Sequence, residues 1–334
     1  MNAPTKRIAA LLMIAACLAA CGAAEDKAAP CLDIQAPCAL PQAPNLGHLP
    51  LDSPLRFVSA FAGARIERRI SRHEAGQEES LLGDWLKSDE VIVTTAGRYR
   101  IDARLDGVPN SEVTMEVEGR AALPGAVGSD DCEAIAATDA RFSAWAVAVV
   151  EQEKGERLGA AFSDADLALG PADDSGERVV SLGEGGRLTV SFVEAFGDGE
   201  GPDFAVFENA FEDGFLELAF VEVSSNGADF ARFDSLYLGH EKVDSFGTLD
   251  ARLLEGLAGK YRKGYGTPFD LARLRNMPIV RSGAVDLSTV RYVRLVDILG
   301  DGRETDSFGH PIYDPAPTRD SAGFDLDAVG VLRH

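Results

Sequence analysis

The stretch from Gly197 to Phe211, GDGEGPDFAVFENAF, constrains the possible fold more than any other part of the chain. It opens with a cluster of Gly and Asp residues and continues into apolar residues that alternate between two faces, as in a β-strand. Carboxylate and amide side chains stand at both ends of this strand, and the glycines allow backbone carbonyl groups to turn inward. The stretch therefore predicts an acidic loop that leads into a strand.

The oxygen-bearing side chains of this stretch are the ligands that Ca²⁺ prefers, about six to eight oxygens in a flexible arrangement. Asp198–Val206 also resembles one repeat of a calcium-binding β-helix, with Asp in place of the first Gly. Near the end of the chain, Asp325 and Asp327 share one face of a strand and repel each other unless a proton or cation lies between them. We therefore predict one calcium ion held by Asp198, Asp203, Glu208, Asn209, Asp325 and Asp327.

The alternative interpretation is an acidic hairpin turn followed by a half-buried strand. In that case Asp325 and Asp327 face solvent on an edge strand.

Residues 1–20 have the pattern of a secretory signal peptide: Lys6 and Arg7 precede an apolar run from Ile8 to Leu18 that is too short to span a bilayer. The sequence LAAC that ends at Cys21 resembles the bacterial lipobox. The resemblance implies cleavage before Cys21, lipidation of its thiol and an anchor in the outer membrane. The periplasmic or surface orientation is left open, and the alternative is an ordinary cleaved signal peptide.

The formal net charge of −22 excludes binding to nucleic acid through charge. The remaining cysteines, Cys31, Cys38 and Cys132, would lie in an oxidising compartment. Either Cys31 and Cys38 close a short loop, or Cys132 joins the N-terminal segment to the body of the protein. The sequence does not choose between these pairings.

Composition divides the chain into a signal peptide and four further segments. Residues 21–54 are rich in Ala and Pro and predict a tether, 55–123 predict a small β-rich unit, 124–139 a linker, and 140–334 a β-sandwich domain. Within the small unit we expect the following elements: a strand at Arg56–Phe61, a helical turn at Glu79–Leu86, a hairpin joining Val91–Thr95 to Arg98–Leu105, and a strand at Ser111–Glu118.

The C-terminal part alternates short apolar runs with Gly/Asp corners. The dipeptide Asn226-Gly227 predicts a tight hairpin, Trp145–Val150 predicts a strand, and Leu249–Leu257 has helical spacing. Many short strands with one helical insertion predict a mostly β fold of the jelly-roll-like sandwich type, preceded by the small β-rich unit.

Several separated motifs resemble a family of secreted bacterial "cell surface proteins". The motifs are Leu182–Val193, Gly197–Phe211, Tyr265–Leu271 (YGTPFDL), residues 296–298 (VDI) and Gly323–Val331 (GFDLDAVGV). The resemblance implies a jelly-roll-type domain, a location outside the cytoplasm and a binding role. Because some relatives accompany outer-membrane uptake receptors, including those for corrinoids, it also implies such a receptor as a possible partner.

Lys260–Phe269, KYRKGYGTPF, is a local basic and aromatic segment in an acidic chain. Aromatic rings stack on sugars or planar ligands, and Lys and Arg pair with carboxylates or phosphates. We predict ligand contacts from Tyr261, Arg262, Tyr265 and Phe269. The alternative is that the tyrosines cap the core of the sandwich.

The chain contains no GxSxG, HExxH or P-loop motif. We therefore expect a non-catalytic binding module for a glycan or a small cofactor. An accessory subunit of an outer-membrane uptake receptor is a second possibility. A carboxylate-dependent glycoside hydrolase is a third, because pairs of carboxylates are abundant.

Overall fold

The computed structural model describes residues 39–61, 63–73, 80–173 and 178–334. The predicted signal peptide, Cys21, Cys31 and Cys38 lie outside these ranges. Within them the chain is mostly β, as predicted, with short strands and few helical turns. None of the helices in the described ranges is long and apolar enough to cross a membrane.

The N-terminal part is built around a five-stranded sheet. Its strands and those of a neighbouring two-stranded pair are β1 (His48–Pro50), β2 (Pro54–Arg56), β3 (Ile66–His73), β4 (Ser80–Leu81), β5 (Glu90–Ile92), β6 (Gly97–Leu105) and β7 (Val113–Arg120). The sheet has the order β1-β7-β6-β3-β4, and β2 pairs with β5. Strand β1 runs parallel to β7, so the end of the predicted tether already belongs to this sheet.

Alternation along β6 and β7 explains how this sheet forms. Tyr99, Ile101 and Ala103 on β6 and Met115 and Val117 on β7 are buried in one core, while the polar residues between them lie on the opposite face of the sheet. The strand predicted over Ser111–Glu118 is thus confirmed as β7, with slightly shifted ends.

Two local predictions in this unit are wrong. The predicted hairpin across residues 96 and 97 does not form, because β5 pairs with the distant β2, whereas β6 pairs with β3 and β7. In the described part of the predicted helical turn, β4 forms and Leu86 bridges to Arg68. Both errors concern pairing between segments far apart in the sequence, which local patterns do not determine.

The C-terminal part contains two large sheets and two small strand pairs. Its strands are β8 (Ile135–Ala136), β9 (Phe142–Trp145), β10 (Ala148–Glu153), β11 (Val180–Ser181), β12 (Arg187–Phe196), β13 (Phe204–Glu208), β14 (Ala219–Ser224), β15 (Ala231–Arg232), β16 (Leu236–Tyr237), β17 (Leu254–Glu255), β18 (Tyr265–Phe269), β19 (Val290–Asp297), β20 (Asp301–Thr305), β21 (Pro311–Tyr313) and β22 (Asp325–Leu332).

These strands form a β-sandwich. One sheet has the order β10-β12-β19-β14-β15, and the other has the order β11-β22-β13-β18-β8, with β9 also pairing with β22. The main core contains residues from both sheets, among them Val190, Val221 and Val293 from the first and Phe204 and Val329 from the second. The mostly β sandwich preceded by a β-rich unit is therefore confirmed.

Strand β13 lies in the middle of its sheet, hydrogen-bonded to both β18 and β22. Its alternation is as predicted: Phe204 and Val206 face the main core, while Ala205 and Phe207 face the other side. The alternative interpretation of a half-buried strand is wrong, however, because Phe142 and Trp145 cover Phe207. Both faces of the strand are buried.

Helical structure in this part is limited to short turns. These are α1 (Pro278–Arg281) and 3₁₀ turns at Ala160–Phe162, Ala165–Ala168, Ala251–Leu253 and Leu271–Leu274. The predicted helical insertion at Leu249–Leu257 forms the 3₁₀ turn Ala251–Leu253, and β17 follows it directly. The Asn226-Gly227 hairpin is confirmed, since it joins β14 to β15, whereas the predicted strand Trp145–Val150 is divided between β9 and β10.

Candidate functional site

A cleft of about 1390 Å³ lies between the N-terminal sheet and the sandwich. Its N-terminal wall is formed by the segment that leads into β1 and by parts of β6 and β7. Its other wall is formed by the 132–135 segment, the end of β18 and the residues between β17 and β18. Cys132, which carries a free thiol, is part of this wall.

A network of charged side chains crosses the cleft. The imidazole of His48 contacts Glu133 through Nε2 at 3.0 Å and Glu255 through Nδ1 at 3.1 Å. Lys260 lies 3.7 Å from the second oxygen of Glu255 and donates a 2.8 Å hydrogen bond to the carbonyl oxygen of Leu254. Both His48 and Lys260 are buried. Cations and carboxylates therefore alternate through the network.

The network determines the protonation of its members. Burial by itself lowers the pKa of His48, but hydrogen bonds to Glu133 and Glu255 outweigh it and raise the pKa to about 9. Burial would raise the pKa of Glu255, yet His48 and Lys260 bring it below the ordinary value. Burial also lowers the pKa of Lys260, and Glu255 opposes that shift. His48 is thus positively charged at neutral pH.

Further hydrogen bonds fasten the two walls to each other. The backbone N–H of Asn45 donates to Asp234 at 2.9 Å, and its side-chain amide donates to the carbonyl oxygen of Arg273 at 2.8 Å. The guanidinium of Arg273 in turn donates to the carbonyl oxygen of Glu116 on β7 at 2.7 Å. The two walls of the cleft are therefore joined by backbone and side-chain contacts.

The structure places the four residues of the predicted ligand-binding segment in two different environments. Phe269 is 3 % exposed and stacks on Phe204 in the main core, with ring centroids 5.3 Å apart. Tyr261 is 2 % exposed, and burial raises the pKa of its phenol. Both rings are thus largely buried, as in the alternative interpretation, yet both residues lie among those that line the cleft, so their contact with a ligand stays a prediction.

The other two residues of that prediction are more accessible. Tyr265 is half-buried at the start of β18, and the guanidinium of Arg262 lies 5.6 Å from its ring centroid. Arg262 also pairs with Asp213 at 2.6 Å. Neither residue is among those that line the cleft.

The six residues predicted to hold one calcium ion do not meet at one place. Asp203 precedes β13 and Glu208 ends it, and five residues of strand span roughly 16 Å. Asp198 accompanies Asp203 at one end of the strand, and Asn209 accompanies Glu208 at the other. The strand rise alone therefore separates the predicted ligands into two groups.

The first group gains a member that the sequence analysis missed. Asp198, Asp203 and Asp270 place one carboxylate oxygen each within 4.8 Å of the others. Arg275 already pairs with this group at 2.6 Å from Asp198, and the ring of His334 lies 2.8 Å from Asp203. Asp203 also accepts a 2.7 Å hydrogen bond from the N–H of Leu271.

The second group belongs to a larger buried acidic cluster, which lies where β13 ends and where β14 and β22 begin. We use the name for five carboxyl groups that are each at least 95 % buried: Glu208, Glu217, Asp297, Asp314 and Asp325.

Neutral donors satisfy most oxygens of the buried acidic cluster. Glu208 accepts from the N–H of Ala210 at 2.8 Å, and Asp314 accepts from the N–H of Leu218 at 2.9 Å. Asp297 accepts 2.7 Å bonds from the N–H groups of Gly185 and Phe324. Asp325 accepts from the hydroxyl of Ser181 and from the side chain of Asn209.

Burial raises the pKa values of the cluster. The pKa of Asp297 rises to about 8 and that of Asp325 to about 7. Burial, together with repulsion from neighbouring carboxylates, holds the pKa values of Glu208, Glu217 and Asp314 well above their ordinary range. Each group therefore lacks the charge compensation that the cleft network has.

Asp327 has a different hydrogen-bond partner from Asp325. It accepts a 3.2 Å hydrogen bond from the N–H of Asp173, and burial raises its pKa to about 7. Asp325 and Asp327 are 4 % and 5 % exposed, so the alternative in which both face solvent is wrong.

Several important residues were not found from the sequence. Asp270 directly follows Phe269 in the motif YGTPFDL. An acidic residue near Gly and Phe also occurs in the predicted calcium-binding stretch, so this position was a signal for a further ligand. Glu217, His48 and Glu255 carried no local signal, because single charged residues acquire their partners only through contacts between distant segments; Lys260 was part of the predicted basic segment, but its burial beside Glu255 was not predicted.

Neither a protein-family model nor a curated protein matches the chain. Among solved structures, an allantoicase is similar at 11 % identity and a TM-score of 0.27, covering 84 % of this chain and 77 % of its own. The secreted serine protease VesC from Vibrio cholerae has 10 % identity, a TM-score of 0.20, and coverage of 88 % and 51 %. A carbohydrate-binding module of the β-sandwich superfamily has 9 % identity, a TM-score of 0.15, and coverage of 88 % and 92 %. Similarities this low carry no functional argument.

Proposed function

We propose that this chain is a non-catalytic binding module whose ligand site is the cleft between the N-terminal sheet and the sandwich. The observation that carries the proposal is the charged network inside that cleft. Buried ionisable groups that converge on a large concave surface are characteristic of binding and active sites.

The network favours binding over catalysis. His48, Glu133, Glu255 and Lys260 contact one another at 3.0–3.7 Å, so each charge has an opposite charge beside it. Such an arrangement fixes the position of the side chains and holds the shape of the wall. A proton-transferring group needs a pKa near the working pH, whereas the pKa of His48 is about 9.

The dimensions and rim of the cleft favour a glycan. Its volume of about 1390 Å³ exceeds the roughly 300–1000 Å³ of pockets for drug-sized ligands. Exposed polar side chains of both signs line it, among them Arg98, Glu116 and Arg141. A mixture of hydrogen-bond donors and acceptors suits the hydroxyl groups of an oligosaccharide better than a ligand of one charge sign.

The lipobox at Cys21 supports placing this module at the outer membrane. An uptake receptor as its partner remains a prediction from the family resemblance.

The proposal is tested by thermal melting of the full chain with a panel of defined oligosaccharides of three to six sugars. We expect at least one to raise the melting temperature by a few degrees, because a ligand that binds only the folded state stabilises it. The double variant Arg98→Ala/Glu116→Ala should lose this shift and melt as the parent does without ligand.

Arg291→Ala is the matched control, because Arg291 is exposed on β19 and does not line the cleft. It should keep the shift. A panel with no effect, or a shift that survives in the double variant, contradicts the proposal.

A further inference from the structure

The buried acidic cluster raises a question that ligand binding in the cleft does not answer. Among the described residues, no Lys, Arg or His lies within 4.0 Å of the carboxylates of Glu208, Glu217 or Asp325. Burying an ionised carboxylate without an opposite charge is among the costliest arrangements in a protein, and buried charges are normally paired or bound to metal ions. Either bound protons or a cation must therefore neutralise the cluster.

Glu217 is the member that points most directly to a ligand. Its side chain is 4 % exposed, and its Oε1 atom is buried with no hydrogen-bond partner. It interacts electrostatically with Asp325, Glu208, Asp314 and Asp297, so it stands between the other acids. A buried, unpartnered oxygen surrounded by carboxylates is the arrangement that a bound cation would complete.

The chemistry of the donors indicates which kind of cation fits. Glu208, Glu217 and Asp325 supply carboxylates, and the hydroxyl oxygen of Ser181 lies beside Asp325. All are hard oxygen donors, which Ca²⁺ prefers, whereas Zn²⁺ sites use mainly nitrogen and sulfur.

We propose that Glu208, Glu217 and Asp325 bind a divalent cation of the Ca²⁺ type at the junction of β13, β14 and β22. This inference is independent of the function proposed for the cleft. Asp198, Asp203 and Asp270 are the competing group; Arg275 pairs with one oxygen of Asp198, and the other oxygen of Asp198 is also buried without a hydrogen-bond partner.

The buried ligands must approach one another when the ion binds. Within the described residues, Asp198, Asp203 and Asp270 are the group of three whose ligand oxygens all lie within 4.8 Å of one another. Repulsion between Glu208, Glu217 and Asp325 acts to hold their oxygens apart, and a cation would draw them together by side-chain rotation.

The test compares Glu217→Gln with Asp198→Asn in the full chain, using calcium titration calorimetry and terbium luminescence. We expect the parent to bind one ion. Glu217→Gln should weaken binding at least tenfold, and Asp198→Asn should change it less than twofold. Glu217→Gln should also melt higher than the parent in EDTA, because it removes one uncompensated acid.

Asp325→Asn gives a second test of the same site, should Glu217→Gln fail to fold, and elemental analysis of the purified parent requires no variant. No bound metal and no calcium heat for the parent would overturn the proposal and leave protons as the compensating charges. Loss of binding in Asp198→Asn with full binding in Glu217→Gln would overturn it by placing the ion in the other group.

Discussion

The cleft network and the buried acidic cluster bury charge in opposite ways. In the network, His48 and Lys260 lie between Glu133 and Glu255, so that positive and negative groups alternate. In the cluster, Glu208 and Asp325 accept hydrogen bonds from neutral donors, and one oxygen of Glu217 has no hydrogen-bond partner. The first arrangement is complete within the protein, whereas the second depends on an added charge.

Burial alone therefore does not determine whether the pKa of a carboxyl group lies above or below its ordinary value. Glu255 and Glu217 are both largely buried, yet the pKa of Glu255 lies below its ordinary value and that of Glu217 lies well above. Neighbouring cations account for the difference. Substitutions at the two positions should therefore have opposite effects on the stability of the metal-free protein.

The largest expected effect comes from breaking the network at its centre. Glu255→Ala leaves Lys260 buried beside a single carbonyl acceptor and removes one of the two acids that hold His48. Removing one partner of a buried ion pair costs about 3–5 kcal/mol. Urea denaturation at pH 7 should show this loss in the free energy of unfolding.

Glu194→Ala is the control for this measurement, because Glu194 is an exposed glutamate on β12 of the same sandwich. It should change stability little. A Glu255→Ala variant as stable as the parent would show that the network does not contribute to folding.

The sequence predicted the parts of the fold that local patterns encode. Alternation in Phe204–Phe207 gave a strand, and Asn226-Gly227 gave a hairpin, because both depend on neighbouring residues. The burial of Tyr261 and Phe269 depends on which side of the loop meets the core, which only sheet packing decides. Asp203 and Glu208 were wrongly joined in one site although the strand rise already separated them.

The candidate site was less predictable than the fold. His48 was assigned to a tether, and its partners Glu133 and Glu255 follow it by 85 and 207 residues in the sequence. No periodicity or turn signal connects positions so far apart. The network exists only because β1 joins the N-terminal sheet while its first residue faces the sandwich.

A second, somewhat smaller effect separates the network from the cluster by pH. The pKa of His48 is about 9 in the folded protein and about 6.5 in the unfolded chain, so protonated His48 stabilises the fold fully below pH 6.5. This contribution of about 3 kcal/mol is lost as the pH rises from 6.5 through 9.

The measurement is the difference in free energy of unfolding between the parent and His48→Gln at pH 6, 7.5 and 9.5. Other titrating groups act alike in both proteins, so the difference isolates His48. It should shrink as the pH rises. A constant difference would mean that the charge of His48 is unimportant for stability.

The smallest effect is expected at an ion pair on the surface, where the charged groups are not buried. Arg56 and Glu90 lie 2.9 Å apart across β2 and β5, with the arginine side chain 69 % exposed. Exposed pairs contribute about 0–1 kcal/mol, so Arg56→Ala should change the free energy of unfolding by less than about 1 kcal/mol. If Arg56→Ala lowered the free energy of unfolding as much as Glu255→Ala in the same urea series, burial would not explain the larger effect expected for the network.

The parallel pairing of β1 with β7 has a mechanical consequence. If Cys21 holds the protein on a membrane, any drag on the body is transmitted along the chain first to Ala39, which is buried, and to Gln42, which forms a β-bridge with Val58, and only then to Asn45 and β1. Asn45 is hydrogen-bonded to Asp234 and Arg273 of the sandwich, and β1 is bonded to the N-terminal sheet. The contacts of Ala39 and Gln42 therefore take the pulling force first, and the part of it that passes them is shared between both halves at the rim of the cleft.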